Sequence, residues 1–248
     1  MSLPRANAKM DVTLSNREEA VRPALPSGSA SRAFTLIELL VVITVIAILM
    51  ALLFPAFRGV QDQAKRTQAK NDLTQIVTAV NAFYTEYGKY PLPTDTTGDF
   101  IFGPGGNSDP PSNSELFYTL RAINAGTMNA NNAANPRQIV FISPPSVKVP
   151  TNPRSGIATQ AATINCFSVG VGDFVDPWGT PYNVKIDGNY DNQITTNPYG
   201  NNNGAGPQPL TIGLIAWSLG SDGVLGTKTT GCTGNNIYTD SDDVISWQ

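Results

Sequence analysis

The sequence predicts an α+β protein in which one long N-terminal helix packs on a small antiparallel β-sheet. Two observations support this fold class. An apolar stretch that begins at residue 34 continues without a break into a segment whose apolar residues recur with helical spacing. The C-terminal part instead carries short segments, separated by Gly, Pro and Asn, in which apolar and polar residues alternate as they do in strands.

The first 33 residues are polar and of mixed charge. Pro23, Pro26 and the sequence SGSAS disfavour regular structure in this stretch. We therefore interpret residues 1–33 as a leader that is not part of the fold.

Residues 34–57 form an apolar stretch that is interrupted by Thr35, Glu38, Thr44 and Pro55. Because about 20 apolar residues suffice for a helix to cross a bilayer, this stretch predicts a membrane-spanning segment. Proline removes an intrahelical hydrogen bond, so we expect a bend near Pro55. Glu38 stands out, because a carboxylate within such a segment is costly unless it has a partner.

The same helix should continue through residues 58–88 as an amphipathic segment and end near Tyr87, because Gly88 favours a helix stop and Pro91 bars continuation. Its apolar stripe includes Val77, Tyr84 and Tyr87. Four further residues of the stripe should be buried against the sheet: Leu73, Ile76, Val80 and Phe83.

Residues 89–175 are interpreted as a loop-rich, variable insert. Within it we predict a short helix from about Ser114 to Asn124, and the segment RQIVFIS is interpreted as a strand or an extended segment. The insert suggests no function of its own.

Residues 176–248 should form the antiparallel sheet, with strands that begin near Thr180 and Leu210 and a last strand in DVISW. The run NPYGNNNGAGPQP between the first two strands is interpreted as a flexible connection. Three tryptophans are interpreted as core aromatics: Trp178, Trp217 and Trp247.

Composition disfavours several classes of function. The net charge of −3 argues against a nucleic-acid partner, and the absence of histidine removes the commonest general base and metal ligand. A membrane-anchored enzyme or binding domain is the alternative from another class, and its nearest candidate carboxylates, Asp173 and Asp176, should face solvent near a turn. The sequence contains neither a GxSxG motif nor a phosphate-binding loop.

Two acidic segments are candidate metal sites. Asp222, Asp240, Asp242 and Asp243 cluster near the C-terminus beside a glycine-rich turn, and the residue types alone fit either a calcium site or a solvated acidic turn. The segment DGNYDNQI, residues 187–194, starts like an EF-hand loop but lacks the glycine and the final glutamate of that loop. We interpret it as a hairpin turn.

The segment FTLIELLVVITVIAIL resembles the N-terminal signature of type IV pilins and type II secretion pseudopilins. Three C-terminal segments resemble, more particularly, the major pseudopilin family (type II secretion system protein G): DPWGTPY at 176–182, WSLGSDG at 217–223 and DDVISW at 242–247. The resemblance implies a pilin fold and a structural subunit of a secretion pseudopilus, with a type IV pilus subunit for adhesion or motility as the alternative.

The resemblance also implies processing and assembly. A prepilin peptidase would cut between Ala33 and Phe34, and the new amino group of Phe34 would be methylated. In the filament, Glu38 would neutralise the terminal ammonium of a neighbouring subunit; the alternative is an acid that reaches the lipid headgroups. The leader is longer than is usual in the family, and Ala33 stands where the family usually has glycine.

The implied location is the bacterial inner membrane, crossed once, with the C-terminal domain in the periplasm and the filament in the periplasm or at the cell surface. The implied partners are further copies of the chain, minor pseudopilins, the prepilin peptidase and an inner-membrane assembly platform.

Calcium is the cofactor that the resemblance implies, with Asp222 and Asp243 as side-chain ligands and Asp242 as a substitute. Carbonyl groups near Leu219 and Ser221 would contribute. If the domain faces an oxidising periplasm, Cys166 and Cys232 can form a disulfide; two free thiols are the alternative.

Overall fold

The computed structural model describes residues 34–104, 112–164 and 166–248, without the side chains of residues 55 and 56. The predicted leader, residues 1–33, lies outside the described residues. Two compact units are distinguished, one ending at Ala51 and the other comprising Leu52–Gln248, and each is described by itself.

The predicted long helix is confirmed as α1, Leu36–Tyr87, which is one element through position 55. The expected bend at Pro55 stays a prediction. Gly88 follows the last helical residue with a φ of +67°, and its N–H donates to the carbonyl oxygen of Tyr84 at 2.8 Å. Glycine adopts this left-handed conformation without a side-chain clash, which explains why the helix ends there.

The central sheet has four strands, and each pair of neighbours is antiparallel. In spatial order they are Phe100–Phe102 (β1), Asn183–Ile186 (β6), Leu214–Ser218 (β7) and Val244–Ile245 (β10). The three C-terminal strands of this sheet fall within the predicted segments but are shorter. The described strands are β1 Phe100–Phe102, β2 Gly156–Ile157, β3 Ala162–Ile164, β4 Phe167–Val169, β5 Phe174–Val175, β6 Asn183–Ile186, β7 Leu214–Ser218, β8 Lys228–Thr230, β9 Thr233–Gly234 and β10 Val244–Ile245.

The second half of α1 covers one face of this sheet. The predicted residues Leu73, Ile76, Val80 and Phe83 are all buried, in one cluster with sheet residues such as Val184. Tyr84, which the helical spacing placed on the apolar stripe, is exposed and packs against Tyr90 and Tyr190 at the surface.

The connection between β6 and β7 covers the other face of the sheet. Along β7, Leu214 and Ala216 belong to the cluster that contains α1, whereas Ile215 and Trp217 belong to a second cluster. Because both faces are covered, all five residues of β7 are buried. The second cluster includes buried residues of the connection itself: Ile194, Tyr199, Ala205 and Leu210.

The interpretation of NPYGNNNGAGPQP as a flexible connection is therefore wrong. Tyr199 and Ala205 are buried, and the Asn197 side-chain amide donates to the carbonyl oxygen of Ala205 at 3.3 Å. A composition rich in Gly and Asn here permits a tightly folded loop, since these residues tolerate left-handed backbone conformations.

The insert contributes to the core. The predicted short helix is present as α2, Ser114–Leu120, and a 3₁₀ turn follows at Ala130–Asn132. Residues 137–143, all described, form no strand; the N–H groups of Phe141 and Ile142 donate to the carbonyl oxygen of Leu120 instead. The segment is used to close the end of α2 rather than to extend a sheet.

Asp176 joins two of the C-terminal segments that the sequence singled out. Its Oδ1 accepts hydrogen bonds from the N–H groups of Trp178, Gly179 and Thr180 at 2.8–2.9 Å, and its Oδ2 accepts one from the Ser218 hydroxyl at 2.6 Å. Burial raises its pKa to about 6, against the opposing effect of these hydrogen bonds. The prediction that Asp173 and Asp176 face solvent is wrong. Both side chains are buried, and both accept hydrogen bonds from backbone N–H groups.

We expect Ile76→Ala to lower the free energy of unfolding by about 2–5 kcal/mol, because it leaves a cavity between α1 and the sheet. Chemical denaturation of the detergent-solubilised chain measures this change. Val60→Ala, at a site 66% exposed on the same helix, is the control and should change the value by less than about 0.5 kcal/mol. Equal effects of the two substitutions would contradict the packing described here.

Candidate functional site

The first candidate site is the N-terminus of α1. The N–H of Glu38 donates to Thr35 Oγ1 at 3.2 Å, and Glu38 Oε2 accepts hydrogen bonds from the N–H and the hydroxyl of Thr35 at 3.1 and 2.9 Å. This reciprocal pair is a capping box, which satisfies backbone donors at the start of a helix. Both contacts of the carboxylate use Oε2, so Oε1 takes no part in the cap.

The first half of α1 is apolar and uncovered. Between Phe34 and Phe57 the large apolar side chains are 49–87% exposed. Among the described residues, α1 is the one helix that is long and apolar enough to cross a membrane, by length and composition. Phe34 is the first described residue, and Ala33, on the other side of the predicted cleavage point, lies outside the described part of the chain.

The second candidate site is the acidic cluster near the C-terminus. Val244 of β10 pairs with Ser218 of β7, so the loop between these strands returns to its starting point. One carboxylate oxygen from each of Asp222, Asp242 and Asp243 lies within 4.8 Å of the other two. The pairing of the two strands thus brings together the three aspartates that were proposed as ligands.

A hydrogen-bond network holds two of these carboxylates. Asp242 Oδ2 accepts from the N–H and hydroxyl of Ser221 and, at 3.2 Å, from the N–H of Asp222. Asp222 itself accepts from the N–H groups of Val224 and Lys228 at 3.0 Å.

Gly220 is required for this arrangement. Its φ is +63°, and a side chain there would meet atoms of Asp242 at 2.6 Å. A close approach of backbone and carboxylate needs a residue without a Cβ.

Asp243 is the most buried of the three, at 4% exposure. Its Oδ2 accepts from the Tyr199 hydroxyl at 2.8 Å and from the N–H of Gly226 at 2.7 Å. Its Oδ1 is buried and has no hydrogen-bond partner within the described residues. The pKa of Asp243 is raised to about 7, mainly by burial; its hydrogen bonds lower the pKa, and the neighbouring Asp242 and Asp222 raise it.

The cluster fits a hard cation. Three carboxylates that lie close together repel each other, and a buried carboxylate oxygen without a partner is costly. A calcium ion would remove both costs, since it prefers six to eight oxygen ligands. The carbonyl oxygen of Leu219 accepts the N–H of Gly223 at 3.2 Å and keeps a second lone pair, but the contributions of Leu219 and Ser221 stay predictions.

The EF-hand-like segment has a different role. Asp187 accepts backbone N–H groups with both oxygens, from Asn189 and Tyr190 on Oδ1 and from Asn192 on Oδ2. Its carboxylate therefore caps a turn. The turn is not a tight hairpin, because it opens the long connection from 187 to 213.

Cys166 and Cys232 are joined by a disulfide, with their Cα atoms 5.7 Å apart. Cys166 lies between β3 and β4, and Cys232 lies between β8 and β9. The bond therefore connects a hairpin of the insert to a hairpin of the loop that carries the acidic cluster.

Two contacts at the candidate sites were not predicted from the sequence, Thr35 with Glu38 and Tyr199 with Asp243. The Thr35–Glu38 pair has the T-x-x-E spacing of a capping box, so a search for helix-start signals could have found it. Tyr199 had no such signal, because its contact with Asp243 joins two loops that are distant in the chain.

Comparison with known proteins supports the resemblance of the N-terminal segment to pilins and pseudopilins. Residues 28–54 match the family model described as the prokaryotic N-terminal methylation motif. The type IV major pilin protein PilA of Myxococcus xanthus is 36% identical over 74 residues, which are 30% of this chain and 32% of that protein.

Two further relatives are named type II secretion system core protein G. The protein from Pseudomonas aeruginosa is 36% identical over 77 residues, 31% of this chain and 54% of the relative. The protein from Pectobacterium carotovorum subsp. carotovorum is 32% identical over 65 residues, 26% of this chain and 42% of the relative.

The matched part of the chain thus spans between about a third and about a half of the length of these relatives. No solved structure matches the chain significantly. The methylation motif, the apolar helix that begins within it and the named relatives agree with each other: the N-terminal part of the chain is similar to type IV pilins and to type II secretion pseudopilins.

Proposed function

We propose that this protein is a structural subunit of a periplasmic type II secretion pseudopilus. It is anchored in the inner membrane before assembly and polymerises through α1. The observation that carries the proposal is the uncovered apolar half of α1 with its single carboxylate, Glu38. Such a surface must be covered, by lipid before assembly and by the helices of other copies afterwards.

Processing makes the partner of this carboxylate. A prepilin peptidase cuts between Ala33 and Phe34, and the new terminal ammonium of Phe34, once methylated, keeps its positive charge. In the filament it pairs with Glu38 of a neighbouring copy. An ion pair buried in an apolar bundle adds little stability, but leaving either charge unpaired is costly, so the pair selects the correct register.

The remaining partners follow from this role. They are minor pseudopilins in the filament and an assembly platform in the inner membrane. The disulfide between Cys166 and Cys232 supports a periplasmic location of the C-terminal domain, because disulfides persist in oxidising compartments.

A type IV pilus is the second candidate, and the match to a type IV major pilin supports it. We favour the pseudopilus because DPWGTPY and WSLGSDG resemble pseudopilin segments. A hydrogen bond between Asp176 and Ser218 joins these two segments.

Glu38→Gln should abolish filament assembly while leaving the protein in the membrane. Glutamine keeps the capping box with Thr35, since either Glu or Gln serves at this helical position, so the substitution removes the charge and spares the helix start. Electron microscopy of sheared filaments and membrane fractionation measure the two outcomes.

Thr44→Val is the matched control, because Thr44 hydrogen-bonds within its own helix to the carbonyl oxygen of Val41. Filaments should form normally in this variant. Normal filaments in Glu38→Gln as well would reduce Glu38 to a capping residue and refute the assembly role.

We also propose that Asp222, Asp242 and Asp243 hold a structural calcium ion. The support is their mutual proximity and the unpaired, buried Oδ1 of Asp243. The ion would fasten β10 to the loop that follows β7, and so stabilise the C-terminal sheet by mass action.

Calcium at about 100 times its dissociation constant should raise the free energy of unfolding by about 2.7 kcal/mol, and a chelator should reverse the change. The effect should be lost in Asp222→Ala and kept in Asp191→Asn, which alters the EF-hand-like turn instead. The stabilisation by calcium should also decrease as the pH falls below about 7, because protons then compete with the ion for the Asp243 carboxylate. A calcium effect that survives Asp222→Ala would contradict this ligand set.

A further inference from the structure

Asp243 is held on one of its two oxygens. The Tyr199 hydroxyl and the Gly226 N–H both donate to Oδ2, while Oδ1 is buried and lacks a hydrogen-bond partner among the described residues. The two donors fix the plane and direction of the carboxyl group. Such an arrangement leaves one oxygen free to meet a ligand within the cluster that also includes Asp222 and Asp242.

Tyr199 is itself held firmly. It is fully buried, its N–H donates to Asn197 Oδ1 at 3.1 Å, and its carbonyl oxygen accepts from the Asn203 side-chain amide at 2.6 Å. Its ring packs edge-on against Tyr238 with centroids 5.3 Å apart, and it also contacts Trp247. The hydroxyl therefore reaches Asp243 from a rigid loop, not from a mobile one.

We propose that Tyr199 is a positioning residue for the cation at the acidic cluster. Its role is to donate its hydroxyl proton to Asp243 Oδ2, and so to orient Asp243 with Oδ1 as the ligand of the ion. This inference rests on the proposed calcium site and deepens it. Residues that orient metal ligands typically change metal affinity by about 10- to 100-fold when substituted.

The chain offers a matched control for this contact. The Tyr182 hydroxyl donates to Asp72 Oδ2 at 2.8 Å, and Tyr182 is fully buried like Tyr199. Tyr182→Phe and Tyr199→Phe therefore remove the same kind of hydrogen bond between a buried tyrosine and an aspartate. Asp72 lies on α1, outside the acidic cluster.

Isothermal titration of the detergent-solubilised full chain with calcium chloride, alongside thermal unfolding in chelator, tests the proposal. Tyr199→Phe should weaken calcium binding at least about tenfold. Tyr182→Phe should lower thermal stability without calcium to a similar degree, yet change the affinity by no more than about twofold.

The outcomes test the calcium site and the positioning role of Tyr199 separately. If the unsubstituted chain does not bind calcium, the calcium site itself is refuted and this inference falls with it. If the unsubstituted chain binds and Tyr199→Phe binds equally well, the site stands and the positioning role is refuted.

A second variant covers the case in which Tyr199→Phe does not fold. Asn203→Ala removes the side-chain amide that holds the Tyr199 carbonyl and leaves the hydroxyl in place. Weaker calcium binding in this variant supports the positioning role, and unchanged binding overturns it.

Discussion

The first half of α1 presents large apolar side chains, 49–87% exposed, with a single carboxylate near their start. This surface cannot remain in water, and the described residues of the chain do not cover it. Whatever covers it, lipid or other copies of the helix, must also accommodate Glu38. The proposed route through processing, membrane anchoring and assembly follows from that constraint. In the single chain the Glu38 carboxylate accepts hydrogen bonds from Thr35 in the capping box.

The C-terminal part of the fold serves a different requirement, because a small sheet needs cover on both faces. The second half of α1 covers one face, and the connection from 187 to 213 covers the other. The same connection delivers Tyr199 to Asp243, while the pairing of β7 with β10 closes the loop that carries Asp222. The same loops thus determine both the core packing and the geometry of the acidic cluster. A substitution that alters the packing of these loops should therefore also alter the positions of the carboxylates.

Sequence reasoning succeeded where the determining interactions are local. The period of Leu73, Ile76, Val80 and Phe83 predicted both the helix and its buried face, and all four are buried. It failed where burial depends on distant segments. Asp173 and Asp176 were assigned to solvent because a turn is usually exposed, yet residues of the insert and Ser218 enclose them. The loop with Tyr199 was taken for a linker because its composition does not reveal the sheet face that it covers.

The most direct test of the central claim is the intact mass of the subunit taken from purified filaments. The account predicts a chain that lacks residues 1–33 and carries one methyl group on the amino group of Phe34, since the fresh ammonium is what Glu38 of the next copy must meet. Filaments built from subunits that still contain residues 1–33 would contradict it.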